Sequence, residues 1–314
     1  MTPPSILFAH DFDPAGVMIQ WREALRRAGG KAWVAGTRAY IHRADFDPIC
    51  RKPDVIVVCP GVGDGSGGDP GPTAVRTLPS WVEELLAKWP KIPRVALFHG
   101  SLHCWPLREE YARYWHRRGF ALASTTLDYV TEMGKIAPCA WLPPLVERAG
   151  ADEGRMAVLH LPGRPLVVLQ TPSDPAACGT QDFLNAVRLA DAIPLASWRI
   201  PHAMNLDLKL RFSVGFDHFR GAPSVNALEN AACGQASIFS LFKENRATME
   251  SLGVPAPSTA IEPTRDALEE KVRYMVERPE IVEDWQDGCL AWWWRYFDEA
   301  AILGRLDAFF GGLL

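Results

Sequence analysis

The residues of this chain best suited to chemistry fall in one segment, "DHFRGAPSVNALENAACGQASIFS", residues 217–240. A Gly-Ala-Pro-Ser turn runs straight into a helical pattern in which Val225, Leu228 and Ala232 mark the buried stripe. Pro223 suits a first helical turn and Ser224 can cap it. Free N–H groups at such a start, together with the helix dipole, favour a phosphate. Glu229 lies beside the stripe, where a carboxylate could accept from ligand hydroxyls. A lone glutamate on a helix is ordinarily a solvated charge.

Other groups compete for attention. "CPGVGDGSGG" carries five glycines within eight residues, after the apolar run "DVIVV". A dinucleotide fingerprint belongs after the first strand, and no "GK[ST]" follows as in a triphosphate loop. Pro70 and Pro72 hold this loop away from the next helix. It reads as a mobile lid over a cleft rather than a phosphate cradle. "HDFD" places His10 and Asp11 after the first strand, with Gly16 before the first helix. "HGSLHC" offers His99, His103 and Cys104, too few ligands for a zinc site. No structural metal is expected. Trp292, Trp293 and Trp294 read as packing of a terminal helix across two domains.

The elements that must position these groups alternate. "SILFA", "KAWVAG", "DVIVVC", "RVALFHG", "FALAST" and "CAWLPP" read as strands, interleaved with the helices "VMIQWREALRRAGG", "SWVEELLAKW" (Ser80 as its cap), "LREEYARYWHRRG" and "LDYVTEMG". Strands without polar alternation, each followed by an amphipathic helix, make a parallel sheet covered on both faces. After the polar stretch 146–155 the pattern restarts. "PLVVLQ", "PLASWRI", "RFSVGFD" and "ASIFS" are strands. "TQDFLNAVRLAD", "PSVNALENAACG", "LFKENRATMESLG" and "TRDALEEKVRYMVERP" are helices, the last capped by Thr264. A helical tail runs from Pro279 to Phe310. The expected fold is α/β, two facing Rossmann-like domains: 1–155, 156–290, and a C-terminal helix, 291–314, packing back on the first.

Composition sets bounds. With 33 Lys and Arg against 37 Asp and Glu, the net charge of −4 disfavours a dedicated nucleic-acid binder. Seven scattered cysteines without a C-x-x-C pair read as reduced thiols in a cytoplasmic protein. No apolar run reaches the ~20 residues of a membrane span.

"GAPSVNALENAACGQASI" resembles the donor-binding signature of GT-B-fold nucleotide-sugar glycosyltransferases, the glycogen synthase and sucrose synthase-like group. Three further segments agree in order and spacing: "VVLQTPSDPAACGTQDFLNAV", "PRVALFHGSLHCWP" and "FALASTTLDYV…CAWLPPLVE". The resemblance covers most of the chain. It implies transfer of a sugar from a nucleoside diphosphate sugar, a UDP-sugar for example, without a metal cofactor. The acceptor is a small molecule, a glycan or a modified DNA base. It implies that Glu229 bonds the donor ribose and that the backbone of Ser224, Val225 and Asn226 meets the diphosphate. Ser173 also belongs to the donor side, His99 faces the sugar, and His10, Asp11 and Gly16 lie on the acceptor side.

Four positions depart from the pattern. Pro175 and Cys178 stand in a loop that usually carries an Arg and a Lys. Gly221 stands where an acid is usual, eight residues before Glu229. Ala236 replaces a proline. The nearest cation is Arg220, with Lys209 and Arg211 as further candidates, so Arg220 is assigned to offset the leaving-group charge. The alternatives are a non-catalytic sugar or nucleotide binder and a sugar-nucleotide epimerase of the same architecture.

Overall fold

The structure, a computed structural model, describes residues 4–9, 16–35, 52–60, 78–99, 108–146, 148, 157 and 163–314. The glycine-rich loop, His10 and Asp11, and His103 and Cys104 lie outside the described residues. The chain divides into two compact units: Met1–Leu145 with Glu299–Leu314, and Val146–Asp298.

The first unit alternates β1 (Ser5–Ala9), α1 (Val17–Arg27), β2 (Lys31–Ala35), β3 (Val55–Val58), α2 (Ser80–Lys88), β4 (Arg94–Phe98), α3 (Arg108–Arg117), β5 (Phe120–Ser124), α4 (Leu127–Gly134) and β6 (Cys139–Trp141). Every strand pairing is parallel, in the order β2-β1-β3-β4-β5-β6. β1 and β3 are buried along their whole length, which is why they read as unbroken apolar runs. Gly16 opens α1. Ser80 does not cap α2: Pro79 holds the cap position and Ser80 is the first helical residue.

The second unit runs β7 (Val167–Gln170), α5 (Thr180–Leu189), β8 (Ile193–Ala196), α6 (His202–Lys209), β9 (Val214–Phe216), α7 (Val225–Ala232), β10 (Ala236–Ser240), α8 (Lys243–Ser251), β11 (Ala260–Ile261), α9 (Arg265–Glu277) and α10 (Glu280–Tyr296). Its sheet is also parallel, in the order β11-β10-β9-β7-β8. Phe183, Phe216, Ile238, Leu268 and Val272 lie in its core. The chain leaves β7 toward β8 and returns through α6 to β9 on the other side. The carboxyl ends of β7 and β9 therefore flank the topological switch point, where open α/β sheets bind ligands. Helix α6, between "PLASWRI" and "RFSVGFD", was not anticipated from sequence. Thr264 caps α9 as expected, its hydroxyl accepting from the Ala267 N–H at 3.1 Å.

The aromatic tail is two helices. α10 ends at Tyr296 and α11 (Glu299–Gly311) follows. α11 belongs to the first unit: Phe310 meets Phe8 edge-on at 6.5 Å, and Glu299 pairs with Arg27 at 2.6 Å. α10 belongs to the second. Trp292 stacks on Phe239, packs on Phe297 and donates to the Pro255 carbonyl, while Trp294 meets Arg148. These partners of Trp292 and Trp294 lie in the second unit. The division after Asp298, not at 290, follows from the same contacts.

Candidate functional site

The switch point of the second sheet gathers the chemistry. Ser224 caps α7 as expected, its Oγ accepting from the Asn226 N–H at 3.0 Å. Pro223 therefore precedes the cap instead of standing in the first turn. The cap is itself held by a residue that sequence reading passed over. Asp217, at the end of β9 and 2% exposed, accepts the Ser224 N–H at 3.0 Å and the Ser224 hydroxyl at 2.6 Å. It also receives the Asn226 amide at 3.4 Å, and Asn226 in turn accepts from Thr171 at 2.8 Å. Thr171 follows β7, so this chain of bonds ties the two strand ends together.

This network alters the expected phosphate cradle. Of the three backbone N–H groups assigned to the diphosphate, Ser224 serves Asp217 and Asn226 serves the cap. Only that of Val225 has no acceptor among the described residues. The Asp217 carboxylate is favourable at a helix N-terminus, and it would repel a second anion there. His218 Nε2 lies 3.5 Å from Asp217 Oδ2, and His218 Nδ1 accepts the Arg220 N–H at 3.2 Å. With Nδ1 an acceptor, the proton of a neutral imidazole sits on Nε2, facing the carboxylate.

Arg220 reaches the loop that lacks its cations. Its Nε donates to the Ala177 carbonyl at 2.9 Å. Asp174 Oδ1 organises the same loop by accepting from the N–H groups of Ala176 and Ala177 at 3.0 and 3.2 Å. Gly179 has φ +69°, and a Cβ there would lie 2.7 Å from the Phe219 ring. Phe219 and Arg220 thus fasten the turn after β9 onto the loop after β7. Burial pushes the Cys178 thiol up, an effect that the Asp174 backbone and the Arg220 charge partly oppose. Pro175 and Ser173 belong to this loop, and Ser173 is exposed.

Gly221 explains the missing acid. Its φ is +74°, and any Cβ would overlap the ring of Phe242. Its N–H donates to Ser240 Oγ at 2.8 Å, and its carbonyl accepts from the Asn245 amide at 2.7 Å and the Phe242 N–H at 2.9 Å. The position admits no side chain without strain. Gly221→Ala is expected to destabilise the fold by at least ~1–2 kcal/mol from the left-handed backbone alone. A urea midpoint equal to that of the parent protein would contradict this.

Glu229 is not a solvated charge. Its side chain is 8% exposed and pairs with the ammonium of Lys209, whose side chain is fully buried in α6. The pair commits Oε2, while Oε1 lies 3.6 Å from Nδ1 of the exposed His202 at the start of α6. Burying a lysine is costly unless it is paired, and the glutamate is the partner of this one. Arg211 is likewise engaged, with Asp207 at 2.6 Å.

In the first unit His99 closes β4, its Nδ1 3.2 Å from Thr125 Oγ1. Among the described residues no group of three or more His, Cys, Asp or Glu could hold a metal ion, and no helix is long and apolar enough to cross a membrane. Among the described residues, Cys59, Cys139, Cys178, Cys233 and Cys289 are not joined in disulfides.

No family model and no curated protein matches this sequence. Solved structures do share its fold. A glycosyltransferase from Rickettsia africae aligns over 100% of this chain and 99% of its own, with a TM-score of 0.68 at 12% identity. Anabaena HepE, solved with UDP and glucose, aligns over 98% and 99% with a TM-score of 0.61 at 10% identity. An α-glucosyltransferase solved with UDP and a DNA 13-mer containing an HMU base aligns over 99% and 100%, with a TM-score of 0.60 at 10% identity. The chain therefore has the GT-B-type fold that its sequence signature implies, with two parallel Rossmann-like sheets in α/β order.

Proposed function

We propose that this protein is a glycosyltransferase that moves a sugar from a nucleoside diphosphate sugar to an acceptor. The observation that carries this reading lies at the switch point of the second sheet. A capped helix start, a buried carboxylate paired with a buried lysine, and a tethered arginine lie on the segments that flank β9. In this reading Oε1 of Glu229 accepts from the ribose hydroxyls, exchanging its His202 contact for them. The Val225 N–H and Arg220 meet the diphosphate beside Ser173 and Ser224. As the bond from the sugar's anomeric carbon to the diphosphate oxygen breaks, its electron pair goes to that oxygen. Arg220 then offsets the growing charge, a task made heavier by the nearby Asp217. The reading uses no metal.

Calorimetry with UDP, GDP and ADP tests the donor half. Binding of none of them would end the proposal. Incubation with the radiolabelled sugar of the nucleotide that binds then separates transfer or hydrolysis from epimerisation and from binding alone.

A modified DNA base is a second-stage reading of the acceptor, favoured by the full-length likeness to the DNA-bound α-glucosyltransferase. Several arginines that could meet DNA phosphates are already engaged: Arg22, Arg27, Arg113 and Arg118 pair with Glu23, Glu299, Glu109 and Glu83. Transfer to hydroxymethylated duplex DNA that weakens steeply with salt would support it.

A further inference from the structure

The exposed aromatic at the carboxyl end of β10 has no role in the account above. Phe242 lies two residues past the strand and stands at the start of α8, with 42% of its surface exposed. A large apolar side chain left in water at the ligand edge of a parallel sheet is a candidate contact surface. The ring is not loosely hung. It lies over Gly221, and the Phe242 N–H donates to the Gly221 carbonyl at 2.9 Å. Ser240 and Asn245, on either side of it in sequence, bond the same glycine. Gly221 adjoins Arg220, whose guanidinium is anchored on the loop after β7.

The fit between the two residues is mutual. The glycine conformation forbids a side chain at 221, and the ring fills the space that such a side chain would take. A polar contact is thereby excluded and an apolar face is put in its place. A pyranose presents C–H groups on one face and hydroxyls around its rim, so an aromatic plane recognises that face, as aromatic rings do other apolar surfaces. A diphosphate at Arg220 would carry its sugar within reach of this ring.

We infer that Phe242 is the platform on which the sugar of the donor stacks, in place of an acidic side chain at position 221. The inference deepens the glycosyltransferase reading and rests on it. It makes Phe242 a specificity-determining residue that contacts the sugar and not the nucleotide.

The test measures affinity for each nucleotide and for its sugar conjugate, UDP with UDP-glucose and GDP with GDP-mannose, on the parent protein, Phe242→Ala and Phe242→Trp. For the pair that the parent binds, Phe242→Ala is expected to weaken the nucleotide sugar about five- to tenfold and the bare nucleotide less than twofold, and Phe242→Trp to retain the difference. Equal loss for both ligands, or no loss for either, overturns the inference while the donor reading stands. If the parent binds none of these nor ADP and ADP-glucose, the donor reading itself fails and the inference with it. Matching thermal midpoints for the three proteins separate a lost contact from a lost fold.

Discussion

Glu229→Gln will lower nucleotide affinity at least tenfold and will also destabilise the protein. The first effect follows from the ribose bonds assigned to Oε1. A hydrogen bond to a charged group contributes roughly 1.5–3 kcal/mol, and ~1.4 kcal/mol is a factor of ten. The second follows from Lys209, whose side chain is fully buried against Glu229. Removing one partner of a buried ion pair leaves the other uncompensated, at a cost of about 3–5 kcal/mol. From the sequence alone the substitution looked harmless to the fold; the pair makes it a double perturbation. The double variant Glu229→Gln, Lys209→Met separates the effects. With both charges gone, stability should return most of the way, because neutral replacements of buried pairs are often tolerated. Affinity should not return. Calorimetry with UDP alongside urea denaturation checks both. Recovery of binding in the double variant would mean that Glu229 serves the fold alone.

Arg220→Ala should cut turnover on the order of 10²–10³-fold, the scale seen when one donor to a developing anion is removed. Affinity for the bare nucleotide should fall only a few-fold. The argument is differential: an interaction that strengthens as the leaving group gains charge acts on kcat more than on binding. Asp217 sharpens the expectation, since a fixed carboxylate beside the diphosphate raises the need for a cation as charge builds. Arg220→Lys should recover part of the rate, keeping the charge and losing the planar fork. Steady-state kinetics with the nucleotide sugar, set beside calorimetry with the nucleotide, decides the matter. Parallel loss of affinity and turnover would show that Arg220 only binds the ground state.

Much of this fold was legible before any coordinates. Strands buried on both faces must be apolar throughout, and most are followed by a helix with one wet face. That pattern dictated two parallel sheets and most of their elements. The start of α7 was legible for a local reason. Ser224 lies two residues before the Asn226 N–H it accepts, so the cap is written in adjacent letters. Thr264 is a second case of the same kind. Arg220 could be nominated because it is the nearest cation to a turn that lacks others.

What the sequence could not decide are pairings between distant residues. Lys209 and Glu229 stand 20 positions apart on different helices, and neither the burial of the lysine nor its partner shows in local composition. Helix α6, which carries that lysine, is eight residues between two strand-like runs, too short to announce its period. Asp217 reads as one more polar residue after a strand until folding brings it against Ser224 and Asn226. Gly221 reads as an absent acid until Phe242, at the start of α8, occupies its space. The tail's apolar periodicity requires that it be covered, but not by which unit; only packing assigns α10 to one and α11 to the other. Local bonding and burial period are properties of neighbouring residues, whereas the partner of a buried charge is set by the crossing of elements in space.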